Sequence, residues 1–307
     1  MGKGITLFLS LVLLCSFGAA DCAPGQLPGA VTINHSAGCG GHLILMLRVE
    51  SGEELPFLVD TGSPITILDK SLEPRLGKRI DTFTTRSSFG AQQSGIHPAP
   101  KLFLGGVPLM TDSYVSTLDF HRGLVLSSLH IMGILGMDCL RHYCIQLDFE
   151  AGKMRFLDPD HFDPAGLGKP FPITFSNVGQ NFSAELLRAG QNDSCPFISH
   201  PGLFGGSNTN LLIDTGDNVD GAVEKGVIKG HYLTRLVHFV IRLRALRLKK
   251  CTWDGQTYTK LRVWTGPKKN QLGLRFLARH LVTFDLPKRT MYLNQTRSDP
   301  LTAQPNR

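Results

Sequence analysis

The sequence predicts an all-β protein built from two similar halves in one chain. Three features lead there: an internal repeat of four ordered blocks, short apolar stretches bounded by turn residues, and a proline-rich interval between the two copies.

The repeat comes first because it governs how every other motif is read. Its first copy holds Leu58-Val-Asp-Thr-Gly-Ser63, Gly133-Ile-Leu-Gly-Met-Asp-Cys-Leu140, Ile145-Gln-Leu-Asp-Phe149 and Met154-Arg-Phe-Leu157. The second holds Leu212-Ile-Asp-Thr-Gly-Asp217, Gln271-Leu-Gly-Leu-Arg-Phe-Leu277, Val282-Thr-Phe-Asp-Leu286 and Met291-Tyr-Leu293. Register is kept as well as order: Gly136 to Asp148 and Gly273 to Asp285 are both twelve residues apart.

Strands are expected at 42–49 and 56–59, and a hairpin over 101–114 around Gly105-Gly106. In the second copy, 241–248 alternates in part between apolar and basic residues. Trp253-Asp-Gly255 then supplies a turn before 258–264, and the basic positions read as the solvated face of a strand. Short helices are expected at 137–143 and 274–280. The interval 158–172 carries four prolines and two glycines, a composition that disfavours regular elements. The expected organisation is a signal peptide at 1–20, a first domain at 21–160, a connector at 161–178, a second domain at 179–297 and a polar tail at 298–307.

The charged fraction of 19% against 42% hydrophobic residues is that of a folded chain. The excess of 32 basic over 25 acidic residues is modest and comes with no nucleic-acid motif, so no nucleic-acid partner is expected. Lys3, the apolar run 5–14 and the small residues Gly18, Ala19 and Ala20 follow the order of a secretory leader, with cleavage expected after Ala20. The run is too short to span a bilayer, so no stable membrane span is expected and the location is secreted or periplasmic. Beyond the leader lie Cys22, Cys39, Cys139, Cys144, Cys195 and Cys251, an even set suited to disulfides in an oxidising compartment. The expected pairs are Cys22 with Cys39, Cys139 with Cys144, and Cys195 with Cys251. No zinc-like spacing is present, and neither metal nor cofactor is expected. Glycosylation sequons stand at Asn34, Asn181, Asn192 and Asn294. His97, His121 and His130 have no nucleophile motif beside them and read as loop or surface residues.

One Asp-Thr-Gly is a weak signal, but two in equivalent positions of a duplication are specific. Each ends an apolar run, so a buried strand delivers Asp60 or Asp214 to a turn that glycine permits. A carboxylate placed there alone is costly to bury. Two brought together about 3 Å apart share a proton, one acting as base and the other as acid. Such a pair activates a water for attack on an amide carbonyl with no metal. Thr61 and Thr215 are expected to tie the two loops together by hydroxyl and backbone hydrogen bonds.

At these residues the chain resembles the pepsin and retropepsin clan of aspartic peptidases. The match covers roughly 43–157 and 182–293. Ile134-Leu135-Gly136 and Gln271-Leu272-Gly273 stand where that clan has its second, glycine-ending motif beside the catalytic loop. The resemblance implies two pseudo-twofold-related barrel-like lobes, a substrate cleft between them and a flap, here expected at Phe89-Gly90 within 84–95. It implies an aspartic endopeptidase acting on peptide or protein substrates, a monomer with both lobes in one chain. Asp60 and Asp214 would be catalytic, supported by Thr61, Gly62, Ser63, Thr215, Gly216 and Asp217. Two positions depart from the pattern: Asp217 replaces a serine, threonine or alanine, and Gln271 replaces an apolar residue. They motivate the alternative of a peptide-binding pseudoprotease on the same fold. In the clan the residue after the tripeptide donates a hydrogen bond to the catalytic carboxylate. An Asp217 aimed at Asp214 would raise the apparent pKa of the coupled group, whereas one turned to solvent or to a basic neighbour would not.

Overall fold

The structure is a computed structural model that describes residues 26–87, 90–122, 129–176, 197–201, 210–224, 244–253, 256–266 and 271–296. It is mostly β-sheet with little helix, as the sequence predicts. The strands form sheets of nine, seven and six, and the two halves share the smallest one.

In the first half, the parallel strands Glu54–Val59 and Gly133–Leu135 lie side by side, with Leu58 opposite Ile134 and Val59 opposite Leu135. Their residues are apolar at successive positions because both faces are covered. Phe57, Val59 and Leu135 belong to the main core, whereas Leu58 and Ile134 pack with Leu118, Phe120 and Ile131 in a smaller cluster. The strand Ile67–Asp69 pairs antiparallel with the other side of Gly133–Leu135. The second half repeats this unit: Asn210–Asp214 runs parallel to Gln271–Gly273, and Gly221–Glu224 pairs antiparallel with Gln271–Gly273. Each glycine-ending strand leads into a single helical turn, Met137–Leu140 or Leu274–Leu277, shorter than the sequence expectation at both.

The six-stranded sheet joins the halves through the third repeat blocks. Strand Cys144–Asp148 pairs antiparallel with His280–Asp285, with Ile145 opposite Phe284 and Leu147 opposite Val282. Counted from Gly136 and Gly273, Ile145 corresponds to Val282 and Leu147 to Phe284, so the pairing is reciprocal about Gln146 and Thr283. The Gln146 amide donates to Thr283 Oγ1 at 3.2 Å. Leu147, Val282 and Phe284 continue one hydrophobic core that also holds Phe57, Ile213, Leu272 and Phe276.

The Gly105-Gly106 hairpin forms as expected, with φ of 57° and 85° at the two glycines. The basic second-half segment also forms a hairpin, Arg244–Trp253 with Gln256–Gly266. Three expectations are corrected. The connector is not devoid of regular structure: Lys169–Pro172 is the edge strand of the shared sheet, and Thr174–Ser176 joins the seven-stranded one. Prolines are tolerated there because an edge strand needs backbone hydrogen bonds on one side only. Cys139 and Cys144 are buried free thiols. They face different neighbours, since Cys139 lies by Asp138 and Asp112, whereas Cys144 feels Asp285 and Lys288. Finally, His97 is a buried strand residue whose Nδ1 lies 3.0 Å from Gly77 O, not a surface group. The leader, the tail, Cys22, Cys195, Asn181 and Asn192 lie outside the described residues.

Candidate active site

The two Asp-Thr-Gly tripeptides, 154 residues apart, form one site. Asp60 directly follows the Glu54–Val59 strand, with its backbone N–H on Leu135 O at 3.0 Å, so the neighbouring strand fixes where the turn begins. Within each loop the glycine N–H donates to the aspartate two residues back: Gly62 to Asp60 Oδ1 at 2.7 Å and Gly216 to Asp214 Oδ1 at 3.0 Å. Both aspartates are half-buried, while Thr61 and Thr215 behind them are buried.

The threonines interlock. Thr61 Oγ1 donates to Ile213 O at 2.7 Å and accepts from Thr215 N at 3.1 Å. Reciprocally, Thr215 Oγ1 donates to Val59 O at 2.8 Å and accepts from Thr61 N at 3.0 Å. Each hydroxyl thus uses one donor and one acceptor function on the opposite strand, and each satisfies two buried backbone groups. A β-branched side chain with a short hydroxyl suits the task, because its few rotamers hold the oxygen in place.

Each carboxylate lies against the glycine of the other loop. A Cβ on Gly62 would fall 2.6–2.8 Å from the Asp214 carboxyl atoms, and one on Gly216 would fall 2.4–2.6 Å from those of Asp60. Only glycine permits this approach. No protein-family model matches this chain, and no curated protein matches it either. Its own residues therefore carry the functional reading.

The second motifs lie where the sequence places them. A Cβ on Gly136 would meet Ile65 C and O at 2.5 Å, and one on Gly273 would meet Val219 O at 2.3 Å, so both strands thread tightly beside the tripeptide loops. The residue after each glycine donates to the residue after the tripeptide: Met137 N to Ser63 O at 2.9 Å, and Leu274 N to Asp217 O at 2.8 Å. Ile134, Leu135 and Leu272 are buried strand residues of this scaffold.

The side chains after the tripeptides behave differently from the expectation. Ser63 Oγ donates to Ile65 O at 2.8 Å and braces its own loop. Asp217 Oδ2 accepts a hydrogen bond from the Gln271 amide, so the two departures from the clan pattern are partners of each other. Gln271 is 6% exposed, and a buried amide there needs an acceptor that an apolar residue would not. The flap expectation falls on a real hairpin, Asp81–Ser87 with Gly90–Pro98. Gly90 opens its second strand, whereas Phe89 lies outside the described residues.

Beneath each loop is a buried polar group that the sequence reading passed over. In the first half Thr66 Oγ1 donates to Asp138 Oδ1 at 2.8 Å and accepts from Gly136 N at 3.2 Å. Asp138 is fully buried, its Oδ2 has no hydrogen-bond partner among the described residues, and burial pushes its pKa up to about 7. In the second half Asp220 Oδ2 accepts from Arg275 Nε at 3.1 Å and Arg262 N at 2.6 Å. Its Oδ1 accepts from Arg279 Nε and Nη2, both at 3.0 Å. Asp220 and Arg279 are wholly inaccessible. Extending the repeat to polar positions would have found them: Thr66 and Asp220 each stand six residues after the motif aspartate, and Asp138 and Arg275 each two after the glycine. Among the described residues no cluster of His, Cys, Asp and Glu is arranged to hold a metal.

Proposed function

We propose that this chain is an aspartic endopeptidase of two pseudo-twofold-related, barrel-like lobes, in which Asp60 and Asp214 form one proton-sharing dyad in a cleft between them. The observation that carries the reading is the reciprocal Thr61–Thr215 lattice, which holds two carboxylates each against the other loop's glycine. Like charges held so close do not both ionise readily, so one carboxyl keeps its proton. The ionised member takes a proton from a water between the two, that water attacks the scissile carbonyl, and the protonated member hydrogen-bonds the carbonyl oxygen. Peptide or protein segments are the proposed substrates, bound under the Asp81–Ser87 and Gly90–Pro98 hairpin. The proposed setting is secreted or periplasmic, and the proposed unit is the monomer.

The alternative of an inactive peptide-binding protein drew on Asp217 and Gln271. Their mutual hydrogen bond weighs for the enzyme, because it gives Asp217 Oδ2 a neutral amide partner outside the two tripeptides. A peptide-library cleavage assay across pH, with a hydroxyl-containing transition-state mimic of the pepstatin type as inhibitor, tests the reading. Cleavage that the mimic blocks is expected; no cleavage of any peptide at any pH, with no binding of the mimic, would overturn it.

A further inference from the structure

The second loop is held from outside its own half by a residue that neither motif contains. His42 lies just before the Ile44–Val49 strand, half-buried, and its Nδ1 is 3.1 Å from Gly216 O across 174 residues of sequence. A carbonyl oxygen only accepts, so Nδ1 carries the proton and donates.

Two further contacts keep the ring there. The Asn34 side chain donates from Nδ2 to His42 O at 2.8 Å and accepts from Ile44 N at 2.9 Å, fixing the backbone that leads out of His42. The turn between them is seated on the second half, since a Cβ on Gly38 would fall 2.2 Å from Ala278 Cβ. Asp214 is the charged group that faces the ring, and burial nevertheless holds the imidazole below its usual pKa, so near neutral pH it acts as a dipole.

Gly216 is therefore gripped at both ends: its N–H bonds Asp214 Oδ1 at 3.0 Å and its carbonyl is bonded by His42. We infer that His42 is a positioning residue, which holds the Gly216 backbone and through it the Asp214 carboxylate in working geometry. For catalysis the inference rests on the peptidase reading; for loop geometry it stands alone.

Two variants of the full chain test it, His42→Ala and His42→Asn, the second keeping a side-chain N–H near the place of Nδ1. Hydrogen exchange of the amides of 215–217 should quicken in H42A and return close to wild type in H42N. On a cleaved peptide, kcat should fall about tenfold in H42A with KM within about twofold, and H42N should recover most of it. Unchanged exchange in H42A overturns the inference whatever the activity. Faster exchange with unchanged kcat overturns its catalytic part. Should the wild type cleave no peptide at any pH and bind no transition-state mimic, the peptidase reading fails and the exchange result alone decides the role of His42.

Discussion

The two halves share one backbone plan around the Asp-Thr-Gly loop and fill the space beneath it with opposite chemistry. Under the first loop is a neutral hydroxyl, Thr66, bonded to a buried carboxyl, Asp138. Under the second, at the same repeat positions, are a carboxylate, Asp220, and a guanidinium, Arg275, with Arg279 added. The threonine lattice, by contrast, matches atom for atom, with bonds of 2.7–3.1 Å in both directions. The symmetric requirement thus lies on the groups that hold the two carboxylates. The floor below needs only a polar pair that satisfies the loop, and a hydrogen bond and an ion pair serve alike.

That contrast breaks most sharply at Asp220. Asp220→Ala leaves Arg275 and Arg279 buried without their carboxylate, and the expected loss is about 3–5 kcal/mol in urea unfolding. Thr66→Ala removes a neutral donor and should cost only about 1–3 kcal/mol. Equal losses would show that charge is not what separates the two floors.

Asp138 adds a pH dependence. Its folded pKa of about 7 stands above the ordinary carboxyl value of 3.8, so folding favours the protonated form. Stability from this group is therefore highest below about pH 4, falls between pH 4 and 7 as the unfolded chain ionises first, and levels off above, by at most about 4 kcal/mol. Thermal melts of Asp138→Asn should lack that fall. A wild-type profile with the same shape as the variant's would place the titration elsewhere.

The lattice supplies the smaller, matched effects. Thr61→Ala and Thr215→Ala each leave two buried backbone groups unpaired and should each cost about 2–3 kcal/mol. A difference beyond about 1 kcal/mol between them in chemical denaturation would contradict the symmetry of the site.

Much of this was legible in the sequence. The repeat located both tripeptides, both glycine-ending strands and their helical turns, because a duplicated fold keeps its apolar blocks and glycines in register. The connector was misread because proline content speaks against central strands, and Lys169–Pro172 is an edge. The Cys139–Cys144 pairing failed because proximity in sequence does not say which way a helix and the strand after it aim their side chains. Asp217 is anomalous only when read alone: its partner Gln271, the other departure from the clan pattern, lies 54 residues away in sequence. Asn34 matches a glycosylation sequon, yet its amide nitrogen is engaged by His42 O and Ser36 Oγ, a use that only folding reveals.

The central claim is that Asp60 and Asp214 act as one device, and a double-mutant cycle on peptide hydrolysis tests it most directly. Asp60→Asn and Asp214→Asn should each lower kcat by at least about a thousandfold with the fold retained, and the double variant should be no worse than either alone, because half a dyad is already no dyad. Near-normal turnover in either single variant, or losses that multiply in the double, would contradict it.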